Sequence, residues 1–214
     1  MSSFVLKIFA IIFMFIDHVG YVFFPEQSLF RIIGRLAFPI FAFQIGIGFK
    51  HTKNKEKHIL LLLLFAILSQ IPFWLMTNIH VTSSMLNVLF AFVFALTIIY
   101  CNDNIKSYFI KIPLSIILIL LTFYIKVDYG VLGILLTVFL YYFAHNKFIA
   151  FIILASFTFL HYVINNSILQ LYCLISLLFI WLFNGKKGPN TKWLFYIFYP
   201  AHMLILFVGY KLFP

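Results

Sequence analysis

The chain has 214 residues, of which 64% are hydrophobic and only 9% charged, and its mean hydropathy is +1.10. Soluble domains carry roughly 25% charged residues, so that class is excluded, and the near-continuous apolar runs exclude the alternating strands of a membrane barrel. The net charge of +10, from 15 Lys and Arg against 5 Asp and Glu, sits in short loops between those runs, where it reads as topology, so no nucleic-acid partner is expected.

A bilayer core of roughly 30 Å takes about 20 apolar helical residues. Nine stretches qualify: 4–24, 29–49, 58–79, 84–100, 107–125, 127–144, 147–164, 167–183 and 192–213. The expected fold is an all-α polytopic integral membrane protein, one transmembrane domain over residues 1–214, with about nine helices around a central polar cavity. The divisions at 125–127 and 164–167 are the least marked, so the range is eight to ten. Lys7 precedes the first apolar run as in a signal peptide. Asp17 and His18 interrupt that run and no small-x-small site follows, so it reads as a retained helix.

Eleven of the fifteen Lys and Arg fall on one side of this arrangement: Lys7, Lys50, Lys53, Lys55, Lys57, Lys106, Lys111, Lys147, Lys186, Lys187 and Lys192. By the positive-inside rule that side is cytoplasmic, the N-terminus with it, and the expected location is the bacterial cytoplasmic (inner) membrane, with lipid as surroundings.

Taken along the chain, the polar residues inside apolar spans are few. Lys7 lies near the cytoplasmic start of the first, and Asp17 and His18 lie about 15 Å further along at 1.5 Å per residue. As neighbours on a helix they diverge by about 100°, so each needs a partner from another helix. Arg31 and Arg35, four apart, share a face near the outer end of the second span. Ser69, Gln70 and Pro72 read as a kink or packing site, with lining of the cavity as the alternative, and Asn87 and Gln70 as deep amides. Asp128 stands at the outer start of the span 127–144. Tyr199 and His202 lie beside Pro200 near the middle of the last. A charge at mid-bilayer costs about 2.5–3.5 kcal/mol on insertion scales and needs a partner, a cavity or a task. One salt bridge, Asp17 with Arg35, would satisfy a pair. Two carboxylates, two arginines and two histidines at one depth point to a shared polar cavity. His51 and His58 flank a lysine-rich loop and read as solvated, and His80, His145 and His161 as interfacial. Cys101 and Cys173 have no redox or metal spacing, and no metal site is expected.

The stretches "IDHVGYVFFP", "RIIGRLAFPIFAFQIGIGF", "LSQIPF", "DYGVLGILL" and "FYPAHMLIL" resemble, in order and spacing, the TraX family of bacterial membrane proteins, from about Lys7 to the C-terminus. The founding members of that family acetylate the N-terminal amine of conjugative pilin. The family is also similar to transmembrane acyltransferases that move acetyl from cytoplasmic acetyl-CoA to extracytoplasmic acceptors. In one branch of that group a basic residue and a catalytic histidine are spaced on the first helix as Lys7 and His18 are here. The resemblance therefore implies His18 as the catalytic histidine and Lys7 as a contact for the CoA phosphates. It also matches Arg35, Asp128 and His202 to motif positions.

The expected function is acetyl transfer from acetyl-CoA, the small-molecule donor, to a peptide amine, a glycan or a lipid. His18 would be the general base and Asp17, or Asp128, its orienting carboxylate, with an arginine such as Arg35 on the developing oxyanion. Lys7, Arg31, Arg35, Asp128, Tyr199, His202 and Asn87 form the expected binding set. A proton-coupled transporter or flippase built on the same residues, or a non-catalytic immunity or assembly protein, are the alternatives.

Overall fold

A computed structural model describes residues 1–189 and 192–212. The elements in chain order are α1 (Ser3–Phe23), α2 (Ser28–Gly34), α3 (Ala37–Lys50), α4 (Lys55–Thr77), α5 (Val88–Asn104), α6 (Tyr108–Ile125), α7 (Gly130–Phe143) and α8 (Lys147–Asn165). A 3₁₀ helix (Ile168–Ile175), α9 (Ser176–Trp181) and α10 (Lys192–Leu212) complete them. Short polar side chains set several starts: Ser2, Asn54, Asn87 and Asn146 each accept a backbone N–H in the first turn of α1, α4, α5 and α8.

Among the described residues six helices are long and apolar enough to cross a bilayer, α2 and α3 counting as the single span Ser28–Lys50. Three shorter apolar helices, Val88–Asn104, Gly130–Phe143 and Ile168–Trp181, stand beside them, so the described residues hold six to nine apolar helices against about nine expected. The all-α polytopic fold is therefore as expected, and the chain is a multi-pass membrane protein.

The sequence bounds differ from the structure in four places. The second span is interrupted at Arg35 and Leu36 because Pro39 has no N–H for the Arg35 carbonyl. That carbonyl is met instead by Cys173 Sγ at 3.2 Å. The span expected at 84–100 starts at Val88 and continues to Asn104, because residues 84–87 run extended and Leu86 forms an isolated bridge with Val127. That bridge also delays α7 to Gly130, leaving Asp128 in the connection rather than at a helix start. The span expected at 167–183 is 3₁₀ over its first half and α-helical only from Ser176. Residues 190–191 and 213–214, with part of the loop 184–191 and the last position of the ninth expected span, lie outside the described residues, as does the side chain of Lys192.

Contacts divide the bundle into two ends. At one end Ser3 N–H donates to the Lys186 carbonyl at 2.8 Å and Gln44 Nε2 to the Ser3 carbonyl at 2.9 Å. There too Lys55, Tyr141 and Tyr142 all reach the Asp103 carboxylate, at 3.2, 2.7 and 2.9 Å. Lys7, the lysines of residues 50–57, and Lys106, Lys111, Lys147, Lys186 and Lys187 share this end by element order. At the other end Tyr21 OH donates to the Thr77 carbonyl at 2.6 Å, and the Leu86–Val127 bridge ties two connections together.

Helices in a membrane gain nothing from hiding apolar surface from lipid, so close packing and polar contacts must join them. The central α3 is buried along Phe38, Ile40, Phe41, Ala42 and Phe43. By contrast, α6 buries only Thr122 and leaves Phe109 and Tyr124 almost fully exposed, as suits a peripheral helix facing acyl chains.

Candidate functional site

Asp17 comes from the outer half of α1 and meets both arginines of α2. Its Oδ2 accepts from Arg31 Nη1 at 2.7 Å and its Oδ1 from Arg35 Nη2 at 3.2 Å. The four-residue spacing of Arg31 and Arg35 lets one carboxylate receive a guanidinium on each oxygen. Gly34 makes this approach possible, since a Cβ there would overlap the Asp17 carboxylate. Arg35 and Asp17 are the deeper members, with side chains 13% exposed against 28% for Arg31.

The partner of His18 is neither Asp17 nor Asp128 but His202, from the middle of α10. His18 Nδ1 lies 2.7 Å from His202 Nε2, and His202 Nδ1 lies 2.7 Å from the Phe198 carbonyl. The expected orienting role for Asp17 is thus corrected. Neighbouring side chains on α1 diverge, and the arginines of α2 occupy the carboxylate. His202 is buried and stacked on Phe198 at 4.6 Å, and it meets the cavity through His18.

Asp128 and Tyr129 close the far side. The Leu86–Val127 bridge fixes their backbone, with Asp128 N–H donating to the Leu86 carbonyl at 2.9 Å. Asp128 Oδ1 accepts from Tyr129 N–H at 2.9 Å, and Tyr129 takes a left-handed conformation (φ +59°) that only the following Gly130 (φ +53°) continues easily. Its ring then stacks on Phe38 at 3.7 Å. Burial in this connection pushes the Asp128 carboxyl up to about 6, against the pull of Arg35. Tyr129 was missed in the sequence, although the tripeptide Asp128-Tyr129-Gly130 was the available signal.

These groups line one cavity of about 310 Å³. Asp17, His18, Arg31, Arg35, Asp128 and Tyr129 supply its polar wall, and Met14, Phe41, Phe73, Phe195 and Tyr199 much of the rest. Val81, Ser83 and Met85 stand at its mouth, at the end opposite the lysine-rich one. A second cavity of about 660 Å³ opens at the lysine-rich end, lined by Lys7, Gln44, His51, His58 and Lys187 among others. Phe41 and Phe195 line both, with ring centroids 5.0 Å apart, so this aromatic pair is the septum between two chambers.

Of the expected site residues, Asp17, His18, Arg31, Arg35, Asp128 and Tyr199 meet in the first cavity, called here the inner chamber, and Lys7 lies in the second, lysine-rich one, the outer chamber. Asn87 does neither. Its side chain caps α5 and donates to the Ala66 carbonyl and Gln70 Oε1, both at 2.8 Å, so its buried amide is a helix joint. His51 and His58, read as solvated, also line the outer chamber, His51 from an exposed position. Their placement depends on how α3 and α4 converge, which loop composition does not encode. Among the described residues no group of three or more His, Cys, Asp and Glu is placed to hold a metal ion.

A polytopic helical bundle with a buried Asp–Arg–Arg cluster and a histidine pair beside a cavity is a multi-pass membrane protein with a polar site in its interior. The chain belongs to the TraX family, whose model, TraX protein, matches residues 2–209. It is 30% identical over 232 residues to a probable fimbrial assembly protein, FimC of serogroup H1, from Dichelobacter nodosus, covering 96% of this chain and 94% of that one. It is 31% identical over 147 residues to an uncharacterized protein of Rickettsia prowazekii (strain Madrid E), covering 66% of this chain and 56% of the relative. No solved structure matches it.

Proposed function

We propose that the protein is a transmembrane acetyltransferase. It takes acetyl from acetyl-CoA on the lysine-rich side, which we read as cytoplasmic, and transfers it to an acceptor reached from the opposite face. The observation that carries this reading is the pair of chambers meeting at Phe41 and Phe195, with His18 in the inner one. An anionic donor fits the outer chamber, where Lys7 and Lys187 stand. At 1.5 Å per residue Lys7 and His18 are about 16 Å apart along α1, a span for an extended thioester arm.

In the inner chamber His18 accepts the proton of the acceptor amine or hydroxyl as its nitrogen or oxygen attacks the thioester carbonyl. The C–S bond breaks, CoA leaves as the thiol after taking back a proton, and the acceptor keeps the acetyl group. Arg35, held by Asp17, or Arg31 faces the developing oxyanion, where a fixed positive group lowers the barrier. Asp17 serves this scheme by fixing the arginines. The likeness to a probable fimbrial assembly protein favours a surface-filament protein amine as acceptor over a glycan or lipid hydroxyl.

The test is labelled acetyl transfer in proteoliposomes, with acetyl-CoA on the lysine-rich side and candidate acceptors on the other, read by product mass. Wild type should label the acceptor. His18→Ala should lose at least about 100-fold in rate, the scale of general-base catalysis, while remaining folded in detergent. A stable His18→Ala protein that transfers at the wild-type rate refutes the mechanism.

A further inference from the structure

The two histidine rings are parallel to within 1° with centroids 5.0 Å apart, while Nδ1 of His18 and Nε2 of His202 are 2.7 Å apart. Rings stacked face to face would sit closer. The short N···N distance and two ring radii account for the whole separation, so the rings lie edge to edge in nearly one plane. That is the alignment of an in-plane hydrogen bond.

Which nitrogen carries each proton follows from the end of the chain of contacts. The Phe198 carbonyl can only accept, so His202 Nδ1, 2.7 Å away, must be its N–H donor. A neutral His202 then presents an unprotonated Nε2, which can only accept. His18 must donate to it from Nδ1, which leaves Nε2 of His18 with its lone pair free.

We propose that His202 is the positioning residue of His18: it fixes the Nδ1–H tautomer and thereby makes Nε2 the basic nitrogen. When Nε2 takes a proton, the Nδ1 proton can move to His202 Nε2, so the charge is shared by two rings, with the Phe198 carbonyl holding the far N–H. His202 thus does with a neutral ring what a carboxylate does behind other catalytic histidines. Its part in catalysis rests on the acetyltransferase reading, whereas the tautomer assignment stands apart from it.

The experiment is ¹⁵N NMR of histidine-labelled protein in nanodiscs at neutral pH, with His18 assigned by substitution. Wild type should show His18 protonated on Nδ1. His202→Gln, whose carbonyl can replace Nε2 as acceptor, should keep that form, while His202→Phe, which keeps the ring on Phe198, should revert to Nε2–H. In the transfer assay His202→Phe should lower kcat at least about tenfold with little change in KM for acetyl-CoA, and His202→Gln should lose less. A wild-type His18 protonated on Nε2 overturns the proposal, as does an Nδ1–H form persisting in His202→Phe. Absence of transfer by wild type with the Nδ1–H form present would count against the acetyltransferase reading alone.

Discussion

Asp17→Asn removes the one carboxylate that faces two guanidiniums. Removing one partner of a buried pair costs about 3–5 kcal/mol, because a charge is left without compensation. The exposures apportion that cost. Arg35, 13% exposed, has little access to water, whereas Arg31, 28% exposed, can turn toward the cavity mouth and recover part of its hydration. Arg31→Gln should therefore cost about 1 kcal/mol or less, the scale of exposed pairs, and Arg35→Gln several times more. For a chain of this length about 1 kcal/mol moves the melting temperature by roughly 2–4 °C, so Asp17→Asn should melt about 6–20 °C below wild type in detergent. The assay is thermal unfolding of the four members of an Asp17→Asn and Arg35→Gln cycle. Contacting residues should show a coupling of about 1–3 kcal/mol, so that Arg35→Gln costs less once Asp17 is gone. An Asp17→Asn protein melting within about 2 °C of wild type, or a strictly additive cycle, refutes the ion cluster as the joint between α1 and α2.

Gly34→Ala should cost at least about 1–3 kcal/mol by overpacking the Asp17 carboxylate, while Gly48→Ala in α3, with open space around it, should be neutral or stabilising; melting curves of both decide. Lys7→Ala should raise KM for acetyl-CoA much more than Lys7→Arg does, and equal damage from both would assign Lys7 to packing. Cysteines placed in the loop 51–54 should be silent to impermeant reagents applied to intact cells, and ready labelling would reverse the orientation. Because Asp128 is raised to about 6 from 3.8, its protonated form is favoured in the fold. Its contribution is thus full below about pH 4 and is lost as pH rises through 6. Asp128→Asn should flatten stability between pH 4 and 8 by on the order of 2–3 kcal/mol, and a profile parallel to wild type would count against the shift.

The polytopic all-α fold was legible because the length of an apolar run reports directly on what a bilayer demands. The Asp17 cluster was half legible: depth and the Arg31–Arg35 spacing named the partners, but not that one carboxylate holds both. The His18–His202 bond joins residues 184 positions apart, and two histidines in apolar sequence carry no sign of which one faces the other. Asn87 misled because a deep amide reads alike whether it lines a cavity or caps a helix. The 3₁₀ stretch before α9 was hidden because its apolar composition is as good for a regular helix. The place of Cys173 was hidden too, since its contact is a carbonyl freed by Pro39 on another helix.

Water filling both chambers would thin the barrier between them to the region of Phe41 and Phe195, which line the two. A membrane potential falls mainly across the least conducting layer, so most of it would drop over this septum rather than over some 30 Å of bilayer. Moving a unit charge through that drop would cost or release about 2.3 kcal/mol per 100 mV. An acetyl group crosses uncharged, and the proton taken by His18 starts on the same side of the rings as His18 itself. In the proposed transfer, then, no charge traverses the focused field. The rate should be the same in energised and depolarised vesicles, whereas a transporter using the same histidines would feel the voltage.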